Sequence, residues 1–141
     1  MPRPTDAPAS RSLILVADDV PENRQLFSLY LRSEYDVVTA ATAEEAIEML
    51  RSRPFDAALL DINYGPGMDG FGAIRVIRAD PALARLPVAA LTAHVAPEDR
   101  AHCLRAGFDL FLAKPVRRAQ MKEALTRLLD TRETAWISRP S

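Results

Sequence analysis

The sequence predicts an open α/β domain in which a parallel β-sheet lies between two layers of helices. Five short apolar segments, each typical of a strand that is buried on both faces, alternate along the chain with amphipathic helical patterns. Strands that alternate with helices pair in parallel through right-handed crossovers. Five such units therefore give a three-layer fold around a single sheet.

The predicted elements follow one another in a regular order. Strands are predicted over residues 13–17, 36–40, 55–60, 87–91 and 110–113, and the last helix over residues 117–129. Pro21 and Pro97 suit the first position of a helix, whereas Thr42 and Glu45 form a capping box. Gly107 suits the residue that ends the fourth helix.

Composition and charge exclude several classes of protein. The 141 residues fit one domain, and the net charge of −1 disfavours a protein that binds nucleic acid through its phosphates. Cys103 is the only cysteine, which excludes an intrachain disulfide and a cysteine zinc cluster. No apolar run is long enough to span a membrane, and no signal peptide is recognised. We expect a cytoplasmic domain over residues 12–130, a flexible arm at 1–11 and a tail at 131–141.

Polar side chains stand where the predicted strands end. The first strand is followed by Asp18 and Asp19, and the third by Asp61. The fourth strand is followed by Thr92 and the fifth by Lys114. In open parallel sheets, ligands bind outside the carboxyl ends of the strands. We therefore expect three carboxylates, a hydroxyl and an ammonium group to converge at that edge.

This set of side chains suits the acceptance of a phosphoryl group. Three neighbouring carboxylates repel one another, and Mg²⁺, which takes one or two carboxylates together with phosphate oxygens, relieves that repulsion. One aspartate then stays available as a nucleophile, since aspartates form acyl phosphates. Thr92 and Lys114 would offer a hydroxyl and a cation to the arriving phosphoryl group.

Short motifs coincide with these strand ends. They read V-A-D-D at 16–19, L-L-D-I-N at 59–63 followed by M-D-G at 68–70, L-T-A at 91–93 and L-A-K-P at 112–115. Together and in this order, they resemble the CheY-like receiver domain of two-component response regulators. The resemblance covers nearly the whole chain and implies a flavodoxin-like fold with five helices and the strand order 2-1-3-4-5.

The resemblance also implies a chemical role for each acidic residue. Asp61 would accept a phosphoryl group from a sensor histidine kinase or a histidine phosphotransferase, in a reaction that needs Mg²⁺. Asp19, Asp61 and the backbone carbonyl of Asn63 would hold the ion, with Asp18 acting mainly through water. The protein would thus be a phosphoacceptor and not an enzyme.

A conformational switch is a further implication of the resemblance. Thr92 would move towards the phosphoryl oxygen, and Phe111, three residues before Lys114, matches the aromatic residue that turns inward as the threonine moves. The face formed by the fourth helix, the fifth strand and the last helix would then change its affinity for a downstream effector protein. The family more often has Tyr at this position, and Phe offers no hydroxyl to a partner.

One loop departs from the family pattern. The family usually has a proline four residues after the phosphoacceptor, whereas Pro66 lies five residues after Asp61. Gly65 and Gly67 flank this proline and give the loop wide conformational freedom. We expect the longer loop to shift the metal site or partner docking and to change the lifetime of the phosphoryl group.

Several interpretations of the whole chain stay open. Only a short segment follows the last predicted helix, so a stand-alone regulator or a phosphorelay intermediate is expected. The stretch D-D-V-P-E-N-R at 18–24 resembles the start of hybrid-kinase receivers, which makes an excised receiver a third option. A receiver-fold interaction module that does not switch is the alternative function. A phosphohydrolase would need Asp-x-Asp after the first strand, where Asp18 and Asp19 are adjacent.

Overall fold

The computed structural model describes residues 11–63, 67–93 and 96–137, with side chains described as far as residue 130. In this part of the chain, five strands alternate with five helices. The strands are β1 (Leu13–Ala17), β2 (Asp36–Ala40), β3 (Ala57–Asp61), β4 (Val88–Thr92) and β5 (Leu110–Ala113). The helices are α1 (Pro21–Leu31), α2 (Ala43–Ser52), α3 (Gly70–Ala79), α4 (Pro97–Ala106) and α5 (Arg118–Ile137).

The strands form one parallel sheet in the order β2-β1-β3-β4-β5, which confirms the predicted fold and strand order. The pairing register brings Asp61 opposite Leu91, and Thr92 opposite Ala113. Because all the strands run in the same direction, their carboxyl ends lie at one edge of the sheet. The polar residues that end or follow the strands therefore meet at that edge.

Each face of the sheet has its own hydrophobic core, because side chains along a strand alternate between the two faces. In β1, Leu15 belongs to the core that α2, α3 and α4 cover, whereas Ile14 and Val16 belong to the core that α1 and α5 cover. The helical residues buried in this second core are Phe27, Leu31, Met121, Leu125 and Leu128. The three predicted layers are thus present.

Side-chain caps hold the starts of α2 and α3. The hydroxyl of Thr42 accepts a hydrogen bond from the amide of Glu45 (3.0 Å), as the capping box predicts. The Glu45 carboxylate in turn accepts from the amide of Ala41 (2.7 Å), one residue before the cap. At α3, the Asp69 carboxylate accepts from the amide of Gly72 (2.8 Å). The bonds from Glu45 and Gly72 satisfy amides that the first helical turn leaves without a backbone partner.

Three predicted elements differ from the structure at their ends. β3 begins at Ala57 rather than at Phe55, which is buried because it packs into the core from the preceding loop. β4 begins at Val88, one residue later than predicted. α5 continues past residue 129 to Ile137, since no glycine or proline interrupts the sequence before Pro140. None of the described helices is long and apolar enough to cross a membrane.

At the amino edge of the sheet, the side chain of Arg78 joins two loops to the end of α3. Its guanidinium donates hydrogen bonds to the carbonyl oxygens of Ala84 (3.0 Å), Leu86 (2.7 Å) and Gly107 (2.9 Å). The same group pairs with the carboxylate of Asp109 at 2.9 Å. A guanidinium has five N–H donors in a fixed plane, so one side chain serves all these acceptors. The loops that lead into β4 and β5 are therefore anchored to α3.

Gly70, the first residue of α3, lies directly against the end of β3. A Cβ atom at this position would stand 2.5 Å from the carbonyl oxygen of Asp61 and 2.7 Å from the Cα of Ile62. Both are backbone atoms, so no side-chain rotation would relieve the overlap. The close approach also allows the Gly70 amide to donate a hydrogen bond to the Ile62 carbonyl oxygen (2.8 Å). Glycine is thus required where α3 meets the carboxyl edge.

We expect Gly70→Ala to lower the free energy of unfolding by about 2–3 kcal/mol, because the added methyl overlaps backbone that has no room to move. Gly72→Ala is the matched control on the same helix. The nearest atom to its added Cβ is in the flexible side chain of Met68, and alanine favours a helix over glycine by about 1 kcal/mol. Urea unfolding of both variants measures the difference, and equal losses would contradict the assignment.

Candidate functional site

Three acidic side chains that are far apart in the sequence lie together at the carboxyl edge of the sheet. One carboxylate oxygen from each of Asp18, Asp19 and Asp61 lies within 4.8 Å of the other two. Asp18 and Asp61 are buried, whereas Asp19 is exposed. Within the described ranges, no other trio of histidine, cysteine or acidic side chains is grouped closely enough to share a metal ion. The predicted convergence of these carboxylates is therefore present in the structure.

Backbone hydrogen bonds extend the sheet beyond the ends of its strands and fix the residues of this cluster. The amide of Asp18 donates to the carbonyl oxygen of Ala40 at the end of β2 (3.0 Å). The amide of Lys114 donates to the carbonyl oxygen of Thr92 at the end of β4 (2.8 Å). The positions of Asp18 and Lys114 thus follow from strand pairing rather than from loop conformation.

The ammonium group of Lys114 is shared by two buried carboxylates. Its Nζ lies 2.9 Å from Oδ2 of Asp18 and 3.0 Å from Oδ2 of Asp61. The side chains of Asp18 and Asp61 are 0% and 4% exposed, and that of Lys114 is 21% exposed. Because little water reaches these carboxylates, the lysine is their main charged partner among the described residues.

The pKa values of Asp61 and Lys114 are both raised, for different reasons. Burial raises the pKa of Asp61, and repulsion from Asp18 adds to the rise, while the hydrogen bond and charge of Lys114 oppose it without cancelling it. Burial lowers the pKa of Lys114, but its hydrogen bonds and attraction to both carboxylates outweigh burial and raise the pKa overall. The attraction between Lys114 and the two carboxylates therefore favours the charged lysine, whereas burial disfavours the charged form of Asp61.

The cluster fits a divalent cation in both charge and size. Three ionised carboxylates and one ammonium group leave two negative charges, which one divalent ion would neutralise. Mg²⁺ binds oxygen at about 2.1 Å, so ligands on opposite sides of the ion are about 4.2 Å apart. The 4.8 Å spread of the three carboxylate oxygens is close to that span. All three groups offer the hard oxygen ligands that Mg²⁺ prefers.

Asn63 lies beside Asp61, as the motif predicts. Its backbone amide donates a hydrogen bond to Oδ1 of Asp61 at 3.2 Å. The longer loop predicted around Gly65 and Pro66 lies outside the described residues. Beyond it, Gly67 adopts a positive φ of 106°, and the amide of Met68 donates to a carboxylate oxygen of Glu44 in α2 (3.0 Å). The far end of the loop is therefore anchored to α2.

Thr92 and Phe111, the two predicted switch residues, share one face of the sheet. Phe111 is half-buried, pairs in register with Ala90 and packs against the core that α2, α3 and α4 cover. Ala90 belongs to the same core, so side-chain alternation puts Thr92, which is 2% exposed, on this face as well. The guanidinium carbon of Arg100 lies 5.3 Å from the centroid of the Phe111 ring, a distance typical of a cation–π contact.

Two residues of the first turns of α1 contact Asp18, and the motifs alone assign them no role. The side-chain amide of Asn23 lies 3.3 Å from each carboxylate oxygen of Asp18. The guanidinium of Arg24 donates to the Asp18 carbonyl oxygen at 2.7 Å. Both residues belong to the D-D-V-P-E-N-R stretch at 18–24. Their short distance from Asp18 along the chain is the sequence feature that could have indicated these contacts.

Removal of the shared ammonium group should destabilise the fold when no metal ion is present. We expect Lys114→Met to lower the free energy of unfolding by about 3 kcal/mol in the presence of a chelator, because two buried carboxylates lose their counter-ion. Lys122→Met is the matched control, since Lys122 pairs with the exposed carboxylate of Glu34 (2.8 Å) and should give a much smaller loss. Urea unfolding measures both, and similar losses would rule out the special role of Lys114.

Comparison with known proteins places the chain in a family. The sequence profile of the response regulator receiver domain matches residues 14–126. An uncharacterised 14.6 kDa protein of Leptolyngbya boryana is 42% identical over 104 residues, which cover 73% of this chain and 79% of that protein. Hybrid signal transduction histidine kinase L of Dictyostelium discoideum is 38% identical over 121 residues, which cover 81% of this chain but only 7% of the kinase.

A solved structure resembles this fold closely. It is the receiver domain of sensor histidine kinase PA1611 from Pseudomonas aeruginosa, with a magnesium ion coordinated in the active site cleft. The two chains are 36% identical with a TM-score of 0.78, and the match covers 86% of this chain and 99% of that domain. The profile match spans most of the chain and agrees with the observed sheet order, and the chain therefore belongs to the response regulator receiver domain family.

Proposed function

We propose that Asp61 accepts a phosphoryl group from a phosphohistidine of a sensor histidine kinase or a histidine phosphotransferase, in a reaction that depends on Mg²⁺. The observation that carries this proposal is the cluster of Asp18, Asp19 and Asp61 around one shared lysine at the carboxyl edge of the sheet. A cytoplasmic location and a downstream effector protein are parts of the same proposal.

Asp61 is the carboxylate best placed to act as the nucleophile. It ends β3, it is 3% exposed, and Lys114 and the amide of Asn63 each bond to a different one of its oxygens. In the proposed step, one Asp61 oxygen forms a bond to phosphorus while the bond from phosphorus to the histidine nitrogen breaks, and the imidazole leaves. Lys114 then turns from the carboxylate to the transferred phosphoryl oxygens, so the cation follows the negative charge.

Asp19, Asp61 and the carbonyl oxygen of Asn63 are the proposed ligands of Mg²⁺, with Asp18 acting through water. When bound, the ion would supply positive charge to the phosphoryl oxygens as they arrive. Asp19 is the exposed member of the trio, so it is accessible from solvent, whereas Asp18 and Asp61 hold buried positions. The exposed carboxylate thus gives the ion an entry from solvent.

The switch is proposed to begin at Thr92. Its hydroxyl would bond to a phosphoryl oxygen on Asp61, which ends the strand that pairs with β4. Phe111 lies on the same face of the sheet and would move into the space that Thr92 leaves. Movement of Phe111 would break its contact with Arg100 of α4 and so change the surface formed by α4, β5 and α5.

The first test is phosphorylation of Asp61. After incubation with phosphoramidate and Mg²⁺, intact mass spectrometry should show a gain of one phosphoryl group in the native protein and none in Asp61→Asn. Asp69→Asn is the matched control, because Asp69 is a nearby carboxylate that caps α3 and asparagine caps a helix equally well. No mass gain in the native protein would favour the interaction module that does not switch.

A second test separates phosphorylation from switching. Beryllofluoride with Mg²⁺ should shift the backbone NMR resonances of α4 and β5 in the native protein, because Thr92 responds to the phosphoryl mimic. Thr92→Ala should still accept a phosphoryl group from phosphoramidate, but its resonances at Phe111 and Arg100 should move much less. Thr126→Ala, which removes an exposed hydroxyl on α5, should behave like the native protein. Full shifts in Thr92→Ala would refute this route.

A further inference from the structure

We propose that Asn23 is a positioning residue of this site, which fixes the Asp18 carboxylate and so keeps Lys114 equally shared between Asp18 and Asp61. The inference rests on the proposed function, because it assigns Asn23 to the same Mg²⁺ and phosphoryl site. Asn23 touches neither the reacting oxygen of Asp61 nor the proposed ligand Asp19 in any contact that the structure records, and it acts through Asp18.

The contacts of the Asp18 carboxylate show how it is held. Oδ1 accepts a hydrogen bond from the amide of Val20 (2.9 Å), and Oδ2 pairs with Nζ of Lys114 (2.9 Å). The side-chain nitrogen of Asn23 lies 3.3 Å from both oxygens. Asp18 is 0% exposed, so protein groups rather than bulk solvent must satisfy it. Among these groups that contact the Asp18 carboxylate, Asn23 provides the neutral side-chain donor.

The position of Asn23 in α1 explains why its amide is available for this task. α1 begins at Pro21, and the backbone amide of Asn23 bonds to the carbonyl oxygen of Val20 (3.0 Å) as part of the first turn. The helix therefore forms through its backbone and makes no use of the Asn23 side chain. The side chain is half-buried and directs its donors to the carboxylate that precedes the helix.

The orientation of the Asp18 carboxylate affects how Lys114 is shared between Asp18 and Asp61. The distances from Nζ to Asp18 and Asp61 differ by only 0.1 Å, at 2.9 and 3.0 Å. Without the hydrogen-bond donor of Asn23, the buried Asp18 carboxylate would bind Lys114 more strongly, at the expense of Asp61, or it would rotate away from its present orientation. Either change would disturb the carboxylate cluster that faces the cation. Partners that orient metal-site carboxylates typically affect metal affinity by about 10–100-fold.

The test compares three variants of the full chain in the absence of any phosphoryl donor. Asn23→Leu has a similar volume and no donor, and we expect it to raise the dissociation constant for Mg²⁺ by about tenfold in isothermal titration calorimetry. Asn23→Gln keeps an amide and should lie closer to the native protein than to Asn23→Leu. Gln25→Leu is the matched control, since it replaces an exposed amide on the same helix and should leave Mg²⁺ binding unchanged.

Thermal unfolding in a chelator checks that each variant is folded. A native dissociation constant in Asn23→Leu would overturn the inference, as would an equal loss in Gln25→Leu or no recovery in Asn23→Gln. Phosphorylation of the native protein decides the proposed function separately. A native protein that binds Mg²⁺ but gains no phosphoryl group would refute that function and leave the role of Asn23 in metal binding measurable.

Discussion

The pairing of one lysine with two buried carboxylates is the interaction on which the rest of the site depends. Lys114 lies within 3.0 Å of both Asp18 and Asp61, and neither carboxylate has more than slight contact with solvent. A single ammonium group does not balance two carboxylates, and the exposed Asp19 adds further negative charge nearby. Burial, with repulsion from Asp18, raises the pKa of Asp61 despite the neighbouring ammonium group of Lys114. The fold therefore concentrates negative charge at the place where Mg²⁺ is proposed to bind.

Strand pairing links this charge cluster to the two residues of the proposed switch. Asp61 lies at the end of β3, and Thr92 ends the neighbouring β4. Thr92 and Phe111 share the face that α4 helps to cover, while the amide of Lys114 is bonded to the carbonyl oxygen of Thr92. Lys114, which carries the counter-charge, and Thr92, where the proposed switch begins, are thus joined by a hydrogen bond between neighbouring strand ends.

Much of the fold and of the site could be predicted from the positions at which the apolar segments of the sequence end. Buried strands that end abruptly at Asp18, Asp61 and Lys114 place these residues together once the sheet is parallel. The predicted start of β3 is wrong because Phe55 lies in the preceding loop and packs into the core from there. Hydrophobicity alone does not distinguish a buried loop residue from a strand residue. The contact of Asn23 with Asp18 could not be predicted from the sequence, because an asparagine in a first helical turn can bond to many different partners. Only the fold shows that its side chain lies against a buried carboxylate.

The anchoring by Arg78 has a mechanical consequence for the two edges of the sheet. Most of its hydrogen bonds go to uncharged carbonyl oxygens, whose strength depends on neither a metal ion nor a phosphoryl group. The carboxyl edge also carries the ion pairs of Lys114 with Asp18 and Asp61, and the proposed phosphorylation of Asp61 would change their balance. Arg78 thus fixes the amino ends of β4 and β5, so a structural change that begins at Asp61 would displace mainly the carboxyl ends of these two strands.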